Sequence, residues 1–240
     1  MPRDPTTGHT VKRFDGEMSY LNQLVLEIGG LVLDQVKRAL QAVRDEDPVG
    51  AREVIERDKQ VNALDVKIDE EILKLLVRRQ PVASDLRDII TITKTVTDLE
   101  RVGDEIRKIA LLVERLYENG NPAPNHNLLR DIDGMAKYAA SMLRESLDSF
   151  ETVDVRKALH VIRRDLQIEE MFQDALRRLT TYVMQDSRNV GHSVEIVLGL
   201  RALERIGGHA KNIAGYVIFF CTGRDVRHED LETIESEILP

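Results

Sequence analysis

Asp98-Leu99-Glu100-Arg101-Val102-Gly103-Asp104 returns 104 residues later as Ala202-Leu203-Glu204-Arg205-Ile206-Gly207-Gly208. Leu, Glu, Arg and Gly hold the same relative places in both copies. Such a string can mark two copies of one helical unit, each with an acidic edge, or two ordinary exposed Glu-Arg turns; the surrounding pattern separates the two.

Around the first copy, Ile89, Ile92, Val96, Leu99, Val102, Ile106, Ile109, Val113 and Leu116 recur at steps of three and four, which predicts a helix from about Ala83 to Tyr117. Thr93, Thr97, Glu100 and Asp104 form a polar edge beside that stripe. Glu100 and Asp104, four apart, project on one side of the helix, where like charges repel unless something positive lies between them. Both oxygens of each carboxylate are available to a cation.

The preceding helix is predicted over Pro48 to Arg79, and its seam is unusual. The stripe Val54, Asp58, Val61, Asp65, Ile68, Ile72, Leu75 keeps its period, yet two of its members are Asp. An unpaired carboxylate in a helix seam is costly, so each should be paired, bound to a cation, or exposed by a bend of the stripe. The first helix carries Tyr20, Leu21, Leu24, Val25, Ile28, Leu31, Val32, Val36, Ala39, Leu40 and Val43 and ends at Asp45-Glu46-Asp47-Pro48. Gly29-Gly30 in its middle weakens the helix, which predicts close packing there.

Asn119-Gly120-Asn121-Pro122-Ala123-Pro124 is the strongest break, and beyond it the pattern restarts. A fourth helix runs through Leu129, Ile132, Met135, Met142 and Phe150, and a fifth from Val155 through Asp165 and Phe172 to near Asp186. A sixth passes through Val194, Val197, Leu203, Ile213 and Phe220 to Thr222-Gly223. Arg57-Asp58-x-Gln60 returns as Arg164-Asp165-x-Gln167 at an offset of 107, so Asp occupies the same seam position twice, with Glu169 one turn on. The expected fold is therefore all-α: two tandem three-helix bundles related by internal duplication. The divisions are a flexible tail over 1–13, a first bundle over 14–120, a second over 125–223, and a C-terminal tail over 224–240.

At 240 residues the chain can bury a substantial core, and a net charge of −8 with scattered basic residues argues against nucleic-acid or anionic-lipid binding. Cys221 is the only cysteine and follows an apolar run, so it reads as a buried structural thiol in a reducing, cytoplasmic setting. Met1 to Thr10 lacks the apolar core of a signal peptide, and no stretch reaches the length of a membrane span.

Carboxylates on neighbouring helices, without His or Cys placed to join them, suit hard cations such as magnesium, manganese or ferric iron. No nucleophilic triad, phosphate-cradling glycine loop or zinc motif is present. A ferritin-like diiron enzyme needs Glu-x-x-His on two helices, and none of the six His has Glu three residues before it.

Asp98 to Asp104, the second copy with Asn212-Ile213, Arg79-Gln80-Pro81-Val82-Ala83-Ser84-Asp85-Leu86-Arg87, and Gly223-Arg224-Asp225-Val226-Arg227-His228 together resemble the PhoU family of phosphate signalling regulators. The resemblance runs from roughly Phe14 to His228. It implies a non-catalytic, commonly dimeric protein that binds metal clusters through a repeated Glu/Asp-x-x-x-Asp motif. It also implies an adaptor between the phosphate-specific ABC transporter ATPase and the sensor histidine kinase, acting as a negative regulator of the phosphate-starvation response and touching the membrane only through partners.

Carried onto this sequence, the motif is complete at Glu100 and Asp104, whereas Gly208 follows Glu204 where Asp is expected. The metal set is Asp58, Glu100 and Asp104 in the first half and Asp165, Glu169 and Glu204 in the second, with His209 as a substitute ligand there. The bound ion would be iron, manganese or magnesium, with zinc as a further candidate. Asp65-x-x-x-Asp69 ranks below these, because its counterparts Phe172 and Leu176 cannot ligate. Arg101 and Arg205 are expected to neutralise neighbouring acids. The alternatives are a metal-free helical scaffold or interaction protein, whose acids are only solvated, and a metal-dependent hydrolase or oxidase, which would lack a general base.

Overall fold

The computed structural model describes residues 12–81, 84–117, 126–185, 190–227, 229 and 231–238. Six long helices follow one another: α1 (Lys12–Asp45), α2 (Pro48–Arg79), α3 (Ser84–Tyr117), α4 (His126–Thr152), α5 (Val155–Gln185) and α6 (Val190–Thr222). A short α7 (Leu231–Ile238) ends the described chain. The predicted linker at Asn119 to Pro124, and the tail before Lys12, lie outside the described residues; Lys12 and Arg13 already belong to α1.

Duplication extends to the turns. Between α1 and α2, Glu46 takes a left-handed φ of 54° and the Asp47 side chain accepts the Val49 amide at 2.9 Å, with Pro48 opening the helix. Between α4 and α5, Val153 takes φ 52° and Asp154 accepts the amides of Arg156 and Lys157 at 2.9 and 3.2 Å. Each Asp caps orphan donors of the helix it precedes. At the end of α2 Gln80 adopts the left-handed conformation and its amide bonds the Leu76 carbonyl.

α3 and α6 run antiparallel at the centre. Asp98 lies against His209, Asn212 and Tyr216 at one end of this seam, and Arg115 reaches Glu195 at 3.0 Å at the other. α1 meets α4 where a Cβ on Gly29 would stand 2.8 Å from both methyls of Leu147; Gly30 has open space beside it. The close packing expected of the glycine pair thus belongs to Gly29 alone. The buried aliphatic side chains of both halves form one continuous core, so each three-helix unit closes its open face against the other.

Three sequence expectations change. Cys221 is exposed, because it lies on the outer side of α6 where the helix runs past its last packing neighbours. Val194 and Tyr20, assigned to apolar stripes, are 56% and 41% exposed, since each stripe is wider than the face its helix buries. The segment after 223 is not a plain tail: Val226 and Ile234 are buried in the core.

Candidate metal centre

α2 and α3 bring Asp58, Glu100 and Asp104 into one another's field. Asp58 is 6% exposed, and its Oδ1 has no hydrogen-bond partner. Burial, followed by the charge of Asp104, raises its carboxyl above the ordinary range, while Arg107 and a hydrogen bond from Asn62 oppose the shift. Glu100, half-buried, is raised by burial and then by Asp104, with Asp65 and Asp58 adding and Arg101 opposing. Asp65 is itself raised by burial and by Asp69, so it borders this centre although it ranked lower in the sequence. Arg101 straddles the motif, with Nε 3.7 Å from Glu100 and Nη1 3.8 Å from Asp104, too far for hydrogen bonds. Thr93 and Thr97, on the same edge, turn back to the carbonyls of Ile89 and Thr93.

The glycine in the repeated string lies where side chains of α2 press on α3. A Cβ at Gly103 would stand 3.1 Å from Asp58 Oδ1, 3.4 Å from Val61 and 3.8 Å from Gln35 Oε1. The Gln35 oxygen is also buried and without a partner. Two buried oxygens without donors thus face one patch of α3. Leaving them so is costly, and a cation or a bound water relieves the cost.

The second half repeats the layout with different chemistry. Glu204 is raised by burial and by Asp165 and Glu169, while Arg201, 3.4 Å away, and Arg205 oppose the shift. Asp165, read as a seam residue, is half-buried and pairs with Lys211 at 2.6 Å; Glu169 is exposed. Gly207 is packed by Ile168 and Met142, apolar where the first half has polar atoms. Gly208 opens onto empty space.

His209 does not join this group. Its Nδ1 stands 2.6 Å from Asp98 Oδ1, across the seam. Asn212 donates to the same oxygen at 3.2 Å, and the Tyr216 hydroxyl donates to Oδ2 at 2.6 Å. Burial, then the bond to Asp98, pushes the Tyr216 hydroxyl well above its usual range. Arg227 bonds Asp225 and reaches the Tyr216 oxygen at 3.4 Å, and Lys94 lies 3.7 Å from Asp225 and over the Tyr216 ring. One polar clasp therefore gathers Asp98, Asn212 and the segment Asp225 to Arg227, motifs that look unrelated along the chain. Sequence reading passed over Asp98; the signal was the polar run His209, Asn212, Tyr216 at helical spacing along α6.

Arg205, expected to neutralise neighbouring acids, lies in the field of Glu204 and also reaches Glu105 of α3 at 3.2 Å. Among the described residues no three His, Cys, Asp or Glu side chains converge as they stand on one point. Within each acidic set, neighbouring carboxylates add to burial in raising Asp58 and Glu100 in the first and Glu204 in the second, and side-chain rotation is what would close either set around an ion. The donor set is all oxygen, and the unsatisfied Asp58 oxygen fits a hard cation in the first half.

The class is thus a duplicated all-α bundle of six long helices that carries an acidic set in each half. The PhoU domain matches residues 25–113 and again 132–217. The chain is 41% identical over 236 residues to the phosphate-specific transport system accessory protein PhoU homolog of Pseudomonas aeruginosa, covering 98% of this chain and 96% of that protein. It is 33% identical over 221 residues to the accessory protein PhoU of Escherichia coli, covering 92% and 90%. A crystal structure of PhoU from Pseudomonas aeruginosa superposes with a TM-score of 0.82 at 41% identity, over 88% of this chain and 100% of that one. That of the phosphate transport system regulatory protein PhoU from Streptococcus pneumoniae gives 0.80 at 29% identity, over 89% and 99%. The chain belongs to the PhoU family.

Proposed function

We propose that this protein is an accessory regulator of phosphate-specific transport that works as a non-catalytic, metal-binding adaptor. The names of its relatives support the phosphate-transport role. In this reading it docks, as a homodimer on the cytoplasmic side, on the ATPase of the phosphate transporter and on the sensor histidine kinase. There it favours the kinase's signal-off state when phosphate is plentiful. Among the described residues no helix is long and apolar enough to cross a membrane, which fits attachment through partners.

The metal reading rests on one observation: the buried Asp58 oxygen without a partner, set beside Glu100 and Asp104. Iron, manganese, magnesium or zinc there would join carboxylates that otherwise repel, fixing α2 against α3. Asp165, Glu169 and Glu204 form the second, weaker site. Elemental analysis of the purified protein beside Glu100→Ala/Asp104→Ala tests the first site; equal metal content in both removes it. Deletion of the gene tests the regulation, and phosphate-responsive genes that stay repressed in high phosphate would sink that claim.

A further inference from the structure

Along α3 and α6, with Asp165 of α5 at its side, runs an open groove of about 580 Å³ that touches the first acidic set at Asp104 and the second at Asp165 and Glu204. Arg101, Lys108, Arg201, Arg205, Lys211 and Arg227 line it, six cations against the four carboxylates Asp104, Glu105, Asp165 and Glu204. That excess is positive on a chain whose net charge is −8. Three of the groove cations lie against the proposed metal ligands themselves, while Lys108 and Arg205 pair with Glu105 and Arg227 with Asp225. Arg101 sits over Glu100 and Asp104, Arg201 on Glu204, and Lys211 on Asp165.

A metal ion that takes those carboxylates must displace these side chains. Three cations are then released into a groove already carrying an excess of positive charge, and the metal adds its own. Arg101 and Arg201 are 61% and 51% exposed on their side chains, so each has room to swing, Arg201 leaving the face of the Phe172 ring as it does so. Guanidinium groups freed beside a metal are matched in geometry and charge to a tetrahedral oxyanion. The geometry points to a groove that binds a phosphate-class oxyanion together with the metal, the two ligands linked through the exchange of carboxylate partners at Arg101, Arg201 and Lys211. This rests on the metal reading above and adds a second ligand to it. Linkage of this kind is reciprocal: the oxyanion must tighten the metal by the factor with which the metal tightens the oxyanion.

Equilibrium dialysis of the full chain with labelled inorganic phosphate, with and without manganese(II), tests it. Phosphate affinity should rise at least tenfold with manganese bound, and manganese affinity should rise equally with phosphate. In Arg101→Gln/Arg201→Gln manganese should bind as well as before or more tightly, since its competitors are gone, while the linkage to phosphate disappears. Ion pairing of manganese with phosphate in solution would survive in that variant. AMP, offered as competitor, separates the sources: displacement extends the groove to phosphate monoesters, and its absence confines it to the free ion, both upholding the oxyanion site. Manganese binding with no effect on phosphate, or a linkage that the double variant keeps, overturns this inference alone. No binding of manganese, nor of iron, magnesium or zinc dialysed in parallel, overturns it together with the metal reading.

Discussion

Gly103 and Gly207 occupy the same place in two copies of one unit, yet their surroundings have diverged. Around Gly103 stand Asp58, Val61 and Gln35; around Gly207 stand Ile168 and Met142, each 107 residues beyond Val61 and Gln35. Backbone approach, helix register and capped turn are all duplicated, so the copies share a packing scheme. The polar atoms are not shared. Where the second half closes its seam with apolar side chains and sets Asp165 against Lys211, the first leaves two buried oxygens without donors. A duplicated fold has kept its geometry and concentrated its unsatisfied chemistry in one half.

The largest stability effect is expected at Asp98, whose counterpart in the second half is Ala202. Asp98→Ala makes the halves alike at this position but strips His209, Asn212 and Tyr216 of a shared acceptor. The cost should be about 3 kcal/mol, read by urea unfolding. A loss below about 1 kcal/mol would mean that the clasp contributes little to joining the halves.

Gly207→Ala should come next. Its new methyl would meet Ile168 at 2.8 Å, an overpacking worth about 2 kcal/mol. Gly103→Ala faces atoms at 3.1 Å or more, and the helix propensity of Ala offsets much of the strain, so its stability should stay within about 1 kcal/mol of the parent. It should instead weaken manganese binding, by crowding Asp58. Equal destabilisation by both substitutions would erase the contrast between the seams.

Asp58→Asn sharpens the contrast through pH. Because burial raises the Asp58 carboxyl in the folded state, its protonated form is favoured by folding. The associated stability is present below the ordinary carboxylate range and lost as pH rises through the elevated value. In metal-free protein near neutrality the substitution should therefore stabilise by about 1 kcal/mol, with the gain vanishing in acid where Asp58 is protonated in both states. Asp165→Asn, which breaks the pair with Lys211, should give no such gain. Thermal melts of both variants across pH in chelator decide the matter.

The smallest effect belongs to the turns. Val153 holds a left-handed φ that β-branched residues resist, so Val153→Gly should stabilise by up to about 1 kcal/mol in a thermal melt.

The count, order and most boundaries of the six long helices were legible because a period of three and four, punctuated by Pro and Gly, is a local property; α7, read as tail, was not. Asp58 was legible as a seam carboxylate because Asp broke that period, whereas Asp165, read the same way, is half-buried against Lys211. Asp98 was not, since its burial depends on three side chains of α6 more than a hundred residues away. His209 was misplaced for the same reason: proximity in sequence to Glu204 does not decide which face of α6 it takes. Gly103 and Gly207 could be matched to one another but not read, because what a glycine makes room for lies on another helix. Exposure at Cys221, Val194 and Tyr20 depended on where neighbouring helices end rather than on the stripe itself.

The Asp98 clasp also has a mechanical meaning. Apolar side chains tolerate sliding, but an α3 displaced by one helical turn, about 5.4 Å, along α6 would carry the buried carboxylate away from its three donors. Near the far end of the seam Leu112 fills the hollow left by Gly199. The two central helices are thus keyed at both ends like a mortised joint, and a push on α2 or α5 is carried across the molecule as tilt rather than absorbed as slip.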